Sequence, residues 1–172
     1  MYRRTPYRRY GSKYSNETTF VNISLDEPVN AGNSFPADTG GNLGVDIINP
    51  TNVLGNRKVK NFTIKLTATN FTGPIVGVLV YVPEGTVPNP LSMGSLANKL
   101  YEPNQNVICN FVIPTSTLSQ ASTATVSVRS SLARNLNSND RIVLICGCPN
   151  GSAATDQAPA LLSGTVNFSI KY

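Results

Sequence analysis

The sequence predicts an all-β fold, an eight-stranded antiparallel jelly-roll sandwich behind a basic N-terminal arm. Three observations lead there. Thr, Ser, Asn, Val, Gly and Pro dominate and long runs of Ala, Glu, Lys and Leu are missing, a mixture that favours strands and turns. Short apolar stretches, most of them alternating with a period of two residues, recur along the chain between turn-forming segments. The charge is also unevenly placed: Lys and Arg number 14 against 9 acids, yet Arg3, Arg4, Arg8, Arg9 and Lys13 all precede the first acid, Glu17. The whole net charge of +5 therefore sits in the first 13 residues, and the rest of the chain is neutral. At 172 residues the chain is long enough for one well-filled core, so residues 1–16 read as an arm and 17–172 as a single domain.

The strands follow in order. In "TTFVNISL", residues 18–25, Thr19, Val21, Ile23 and Leu25 share the apolar face. After the turn-rich "DEPVNAGNSFPADTGGN" comes the short "LGVDII", 43–48. "KNFTIKLTAT", 60–69, alternates most clearly, with Phe62, Ile64, Leu66 and Ala68 on one face and Asn61, Thr63, Lys65 and Thr67 on the other. "IVGVLVYV", 75–82, and the start of "RIVLICGC", 141–148, are apolar on both faces, so something must cover them on both sides. Helices to do so are scarce, with short candidates only at 91–101 and 115–122, which leaves a neighbouring subunit or a long loop as the cover. "NVICNFVI", 106–113, "TATVSVRS", 123–130, and "GTVNFSIKY", 164–172, complete the eight. Loops of this length fit a jelly roll better than an up-and-down barrel, with another Greek-key sandwich as the competitor.

The arm carries the chemistry. Its paired arginines hold fixed charge and planar forks suited to phosphate oxygens, and Tyr2, Tyr7, Tyr10 and Tyr14 place four of the seven tyrosines among them. With so little aliphatic content the segment has no core to build, so its rings are available to partners. Stacking on Tyr combined with phosphate pairing by Arg and Lys is the design of sequence-tolerant single-strand binders, with strong salt dependence. A nuclear-import signal, a membrane-surface patch or a solubilising tail are the plainer readings of the same residues. A second cluster, Arg57, Lys58 and Lys60 in "GNRKVK", either extends the nucleic-acid surface or is a solvated strand end.

Other classes fare poorly. Histidine is absent, which removes the commonest general base and His-containing zinc sites. The acids are scattered, and Asp26-Glu27 beside Pro28 reads as a turn before it reads as a metal pair, so neither catalysis nor a cofactor is expected. Cys109 and Cys146 read as small core residues, and Cys146-Gly-Cys148 is too tight for a zinc knuckle. No apolar stretch approaches the roughly 18 residues of a membrane span, and no signal-peptide apolar segment follows the basic start. Synthesis inside a cell is the expectation, without membrane insertion.

The arm "MYRRTPYRRYG", then "YVPEGTVPNP", "YEPNQNVI", "SSLARNLNSNDRIVLICG" and the final "GTVNFSIKY", resemble the single jelly-roll capsid proteins of small circular single-stranded DNA viruses. The chain is similar also to the coat proteins of small satellite RNA viruses. The resemblance implies self-assembly into an icosahedral T=1 shell of about sixty copies, with the arm inside against the genome. It implies phosphate neutralisation by Arg3, Arg4, Arg8, Arg9 and Lys13, base stacking by Tyr2, Tyr7, Tyr10 and Tyr14, and residence in the virion after synthesis in host cytoplasm or import to the nucleus. Sixty arms of +5 carry about 300 charges, fewer than a genome of ordinary viral length requires, so either mobile cations and body residues such as Lys58 and Lys60 contribute the balance or the cargo is a small segment. A cellular single-strand-binding module with a basic tail is the alternative.

Overall fold

The alternating segments become strands, and their order decides between the two sandwich topologies. The structure is a computed structural model that describes residues 13–25, 43–51, 55–71, 74–89, 91, 99–114, 123–147 and 160–172. The described residues form nine strands: β1 (Ser15–Leu25), β2 (Leu43–Ile48), β3 (Arg57–Thr69), β4 (Ile75–Val82), β5 (Val107–Ile113), β6 (Thr123–Ser130), β7 (Arg134–Leu136), β8 (Arg141–Gly147) and β9 (Ala160–Lys171). One sheet is ordered β1-β9-β3-β6, with β7 added beside the start of β3, and the other β2-β8-β4-β5. All pairings are antiparallel. Among the eight longer strands, only the step from β4 to β5 stays within one sheet; every other step changes sheets. That is jelly-roll order, and it excludes a sandwich built from hairpins kept within each sheet.

The eight expected strands are present, and β7 makes a ninth. Three residues, "RNL", are too few to show alternation, so nothing in the sequence marks β7; it forms because Arg57, Lys58 and Val59 pair with it beyond the end of β6. β1, β3 and β9 begin at Ser15, Arg57 and Ala160, three or four residues before their expected starts. Of the two helix candidates, 115–122 lies outside the described residues, as does most of 91–101. The one helical turn among the described residues is a 3-10 turn at Asn104–Asn106.

The inward faces form one core. Val21 and Ile23 of β1, Phe62, Ile64, Leu66 and Ala68 of β3, and Val166, Phe168 and Ile170 of β9 meet Ile75, Leu79, Ile142 and Leu144 from the other sheet. Each fully buried aliphatic or aromatic side chain stabilises the fold by about 1.5–3 kcal/mol. The open sides of the sandwich are joined by hydroxyls. Thr19 Oγ1 donates to the Ile47 carbonyl at 2.8 Å, tying β1 to β2, and Ser130 Oγ donates to the Ile108 carbonyl at 2.9 Å, tying β6 to β5.

The strands that are apolar on both faces have two covers. The outward side chains Val78, Val80 and Val82 of β4 and Val143 and Ile145 of β8 form a second buried cluster with Leu91 and Tyr101. Both covering residues belong to the long connection between β4 and β5, so a loop of the chain itself, rather than a neighbouring subunit, covers this face. The loop is anchored by Asn89, whose backbone N–H donates to the Tyr101 hydroxyl at 3.3 Å and whose Nδ2 donates to the Glu102 carbonyl at 2.7 Å.

Candidate nucleic-acid interface

The interface is built on β3. A regular 13-residue strand would put Lys58 and Lys60 on the same face as Phe62, inside the core. Instead the register with β9 slips between Lys60 and Thr63, and Asn61 takes φ 56, in the left-handed region that asparagine tolerates better than most residues. The bulge reverses the alternation. Arg57 and Val59 before it, and Phe62, Ile64, Leu66 and Ala68 after it, are buried; Lys58, Lys60, Thr63 and Lys65 lie on the outer face.

Among the predicted site residues, Tyr2, Arg3, Arg4, Tyr7, Arg8, Arg9 and Tyr10 lie outside the described residues. Lys13 is exposed, and Tyr14 is half-buried against Lys60, whose Nζ sits 3.9 Å from the ring centroid. A cation this close to the face of an aromatic ring is attracted by its quadrupole. The two sequence clusters therefore meet at the root of the arm.

Arg57 is a correction. Its side chain is buried, and its guanidinium donates to the Asp140 carbonyl at 3.2 Å, so it holds the fold together and is not presented to a partner. Charge pattern alone cannot separate a buried structural arginine from an exposed one.

Three further cations share the outer face and were not assigned to the site from sequence. Arg129 is the register partner of Thr63 on β6, Lys65 lies two residues further along β3, and Lys171 on β9 is the register partner of Lys58. Phe20, on the outer face of β1, is 79% exposed. Outward parity of Lys65 and Arg129 is legible in the alternation of their strands; that they share one sheet with Lys171 is fixed only by the strand order.

The densest polar cluster has a different role. Asp140 is buried, and its carboxylate accepts from the Tyr81 hydroxyl at 2.8 Å, the Asn137 backbone N–H at 2.8 Å and the Glu84 backbone N–H at 2.9 Å. Asn139 reaches out of the same turn to Glu84 Oε1 at 2.7 Å, and its backbone N–H donates to the Thr51 carbonyl at 3.0 Å. The polar turn "NLNSND" thus joins the ends of β3, β4 and β8. With both carboxylate oxygens occupied by donors, Asp140 is arranged as a brace. Burial, then the hydrogen bond to Asp140 and its charge, push the Tyr81 phenol up to about 12.

Cys146 is a core residue, and Cys109 is half-buried against the core. Burial raises the Cys146 thiol to about 12 and the Cys109 thiol to about 11, which leaves little thiolate at neutral pH. Cys148, Asp26 and Glu27 lie outside the described residues. No group of three or more metal-ligating side chains occurs among the described residues. No helix among them is long and apolar enough to cross a membrane. Comparison with known proteins returns no matching family model and no matching curated protein.

Proposed function

We propose that the chain is a coat protein that self-assembles into a closed icosahedral shell and packages single-stranded nucleic acid, with the Tyr/Arg arm against the cargo. The cargo in this reading is the DNA genome of a small virus. A jelly roll by itself assigns no function. The observation that carries the reading is the coupling of that fold to the arm: the chain enters β1 through Tyr14, which packs on Lys60 at an outer sheet face rich in cations. An arm of net charge +5 on an otherwise neutral domain is suited to a polyanion on one side of a wall.

The test is electron microscopy of the full-length protein after expression, with nuclease treatment of any contents. Closed particles holding nuclease-protected nucleic acid are expected, and a chain lacking residues 1–14 should still assemble but arrive empty. A clean monomer at high concentration and moderate salt overturns the shell.

One observation favours a second reading, a monomeric single-strand-binding module. The outward side chains of β4 and β8 are covered by the chain's own loop, so the two strands that are apolar on both faces no longer call for a neighbouring copy. For such a module, removal of residues 1–14 weakens binding and there is no particle to retain.

A further inference from the structure

The outer face of the β1-β9-β3-β6 sheet has a charge distribution that the fold does not explain. Lys58, Lys60, Lys65, Arg129 and Lys171 all lie on it, and among the described residues no Asp or Glu side chain shares the face and none of the five is in an ion pair. The acids that are described are engaged elsewhere: Asp46 lies 3.7 Å from Arg141, Glu102 2.9 Å from Lys99, and Glu17 accepts from the Tyr172 hydroxyl at 3.0 Å. Lys58 and Lys171 are direct cross-strand partners on one face. Like charges in that position cost stability, and a bound anion relieves the cost.

The face also carries an aromatic ring in the open. Phe20 lies in one cross-strand row with Thr165 and Lys65, two strands from the lysine, a separation of about 10 Å. The remaining outward positions in this stretch are Thr, Ser and Asn, so Phe20 has no apolar neighbours to justify its exposure as packing. An exposed ring beside a line of cations is the pairing that holds single-stranded nucleic acid, the ring stacking a base and the cations tracking the phosphates.

We propose that this sheet face is a second binding surface for single-stranded nucleic acid, with the phosphates along Lys58, Lys60, Lys65, Arg129 and Lys171 and a base on Phe20. It rests on the reading of the chain as a packager of nucleic acid and names the part of the folded domain that shares the arm's work. Outward positions along β3 repeat at about 6.6 Å, placing Lys58 and Lys60 one step apart and Lys65 one step beyond Thr63, and the bulge at Asn61 is what keeps Lys60 and Lys65 on one side. The arm reaches the domain at this face, because Tyr14 packs on Lys60. Tyr14 thus joins the root of the arm to this basic face.

The test measures binding of a fluorescent oligothymidylate to four full-length proteins between about 50 and 200 mM salt. They are the unaltered chain, an arm variant (Arg3, Arg4, Arg8 and Arg9 to Gln), a face variant (Lys58→Gln, Lys65→Gln, Arg129→Gln and Lys171→Gln) and the combination. Circular dichroism and thermal melts confirm that each is folded. The arm variant is expected to keep salt-sensitive binding that the combination loses, and the face variant alone to flatten the slope of log affinity against log salt by about 3. Phe20→Ala should weaken binding by about tenfold at an unchanged slope, separating stacking from charge.

A face variant with the affinity and slope of the unaltered chain overturns the inference and leaves the arm reading standing. So does an arm variant with no residual binding. If light scattering shows that the face variant disperses assemblies while oligonucleotide binding is unchanged, the face is a contact between copies, which also overturns it. Absence of binding by the unaltered chain at low salt overturns the nucleic-acid reading itself.

Discussion

The two sheets of this sandwich share a core but meet the outside in opposite ways. On β2-β8-β4-β5 the outward side chains of the two central strands, β4 and β8, are mostly valine and isoleucine, and a loop of the same chain brings Leu91 and Tyr101 to bury them, while at the β5 edge Val112 stays 53% exposed. On β1-β9-β3-β6 they are Thr, Ser and Asn, Leu161 and five cations, with one bare aromatic ring, and among the described residues Tyr14 lies over Lys60 while most of the face stays open. The centre of the first face is closed by the fold itself. Most of the second is open among the described residues, and its charge is what the proposed nucleic-acid surface rests on.

The largest expected effect tests why the uncovered sheet needs no cover. At its centre Gly164 of β9 lies between Val21 and Leu66, with φ 154, and a Cβ there would stand 2.0 Å from the Lys65 carbonyl oxygen. Backbone against backbone cannot give way as a flexible side chain can. Gly164→Ala should cost about 4 kcal/mol or more in urea unfolding, or prevent folding. A cost under about 1 kcal/mol would mean that β9 can shift and that the cationic face is less fixed than its register implies.

Next comes the covered sheet. Tyr101→Ala removes a buried ring from over the valines and should cost about 3 kcal/mol, with exposed apolar surface detectable by dye binding. Leu91→Ala should cost about 2 kcal/mol, since the residue is buried in the same cluster but has the smaller side chain. If both substitutions are silent, the loop is not the cover and the two faces are more alike than they look.

The brace between the sheets gives a smaller, pH-dependent effect. The Tyr81 phenol is raised from 10.0 to about 12 by burial and by Asp140, so the folded state favours its protonated form. That contribution is complete below pH 10 and is lost as pH rises through about 12. Tyr81→Phe should therefore lose less stability across this window than the unaltered chain, in denaturant titrations at stepped pH. Equal losses in the two proteins would detach Tyr81 from the brace.

Much of this contrast was legible in the residues, and the parts that were not share a cause. Two-residue alternation gave the inward faces of β1, β3 and β9 correctly, because burying one side of a pleated strand leaves that period in the sequence. The double apolar parity of "IVGVLVYV" showed that an outer cover exists, but parity carries no information about which chain supplies it. The bulge at Asn61 defeated alternation outright: counting by twos from Phe62 places Lys58 and Lys60 in the core and Arg57 outside, the reverse of the structure. Arg57 was misassigned because of that bulge, while Lys65, Arg129 and Lys171 went unassigned for another reason. Local pattern says which face of its own strand a residue takes, while strand order, a long-range property, says which faces join.

The smallest expected effect discriminates most sharply between the two faces. Phe20→Ala is chemically the same truncation as Tyr101→Ala, loss of a ring from a sheet's outer side. Phe20 is 79% exposed and Tyr101 only 4%, so the ring of Phe20 gives up almost no burial when removed. Its loss should change stability by less than about 0.5 kcal/mol in the same urea titration. A cost near that of Tyr101→Ala would mean that Phe20 packs against the domain after all, and the uncovered face would lose its stacking site. A silent substitution leaves an aromatic residue that the folded monomer does not need, held in a row with Lys65 on a strand whose other outward residues are polar. The proposed nucleic-acid surface accounts for a residue in that position, with a base stacked on its ring.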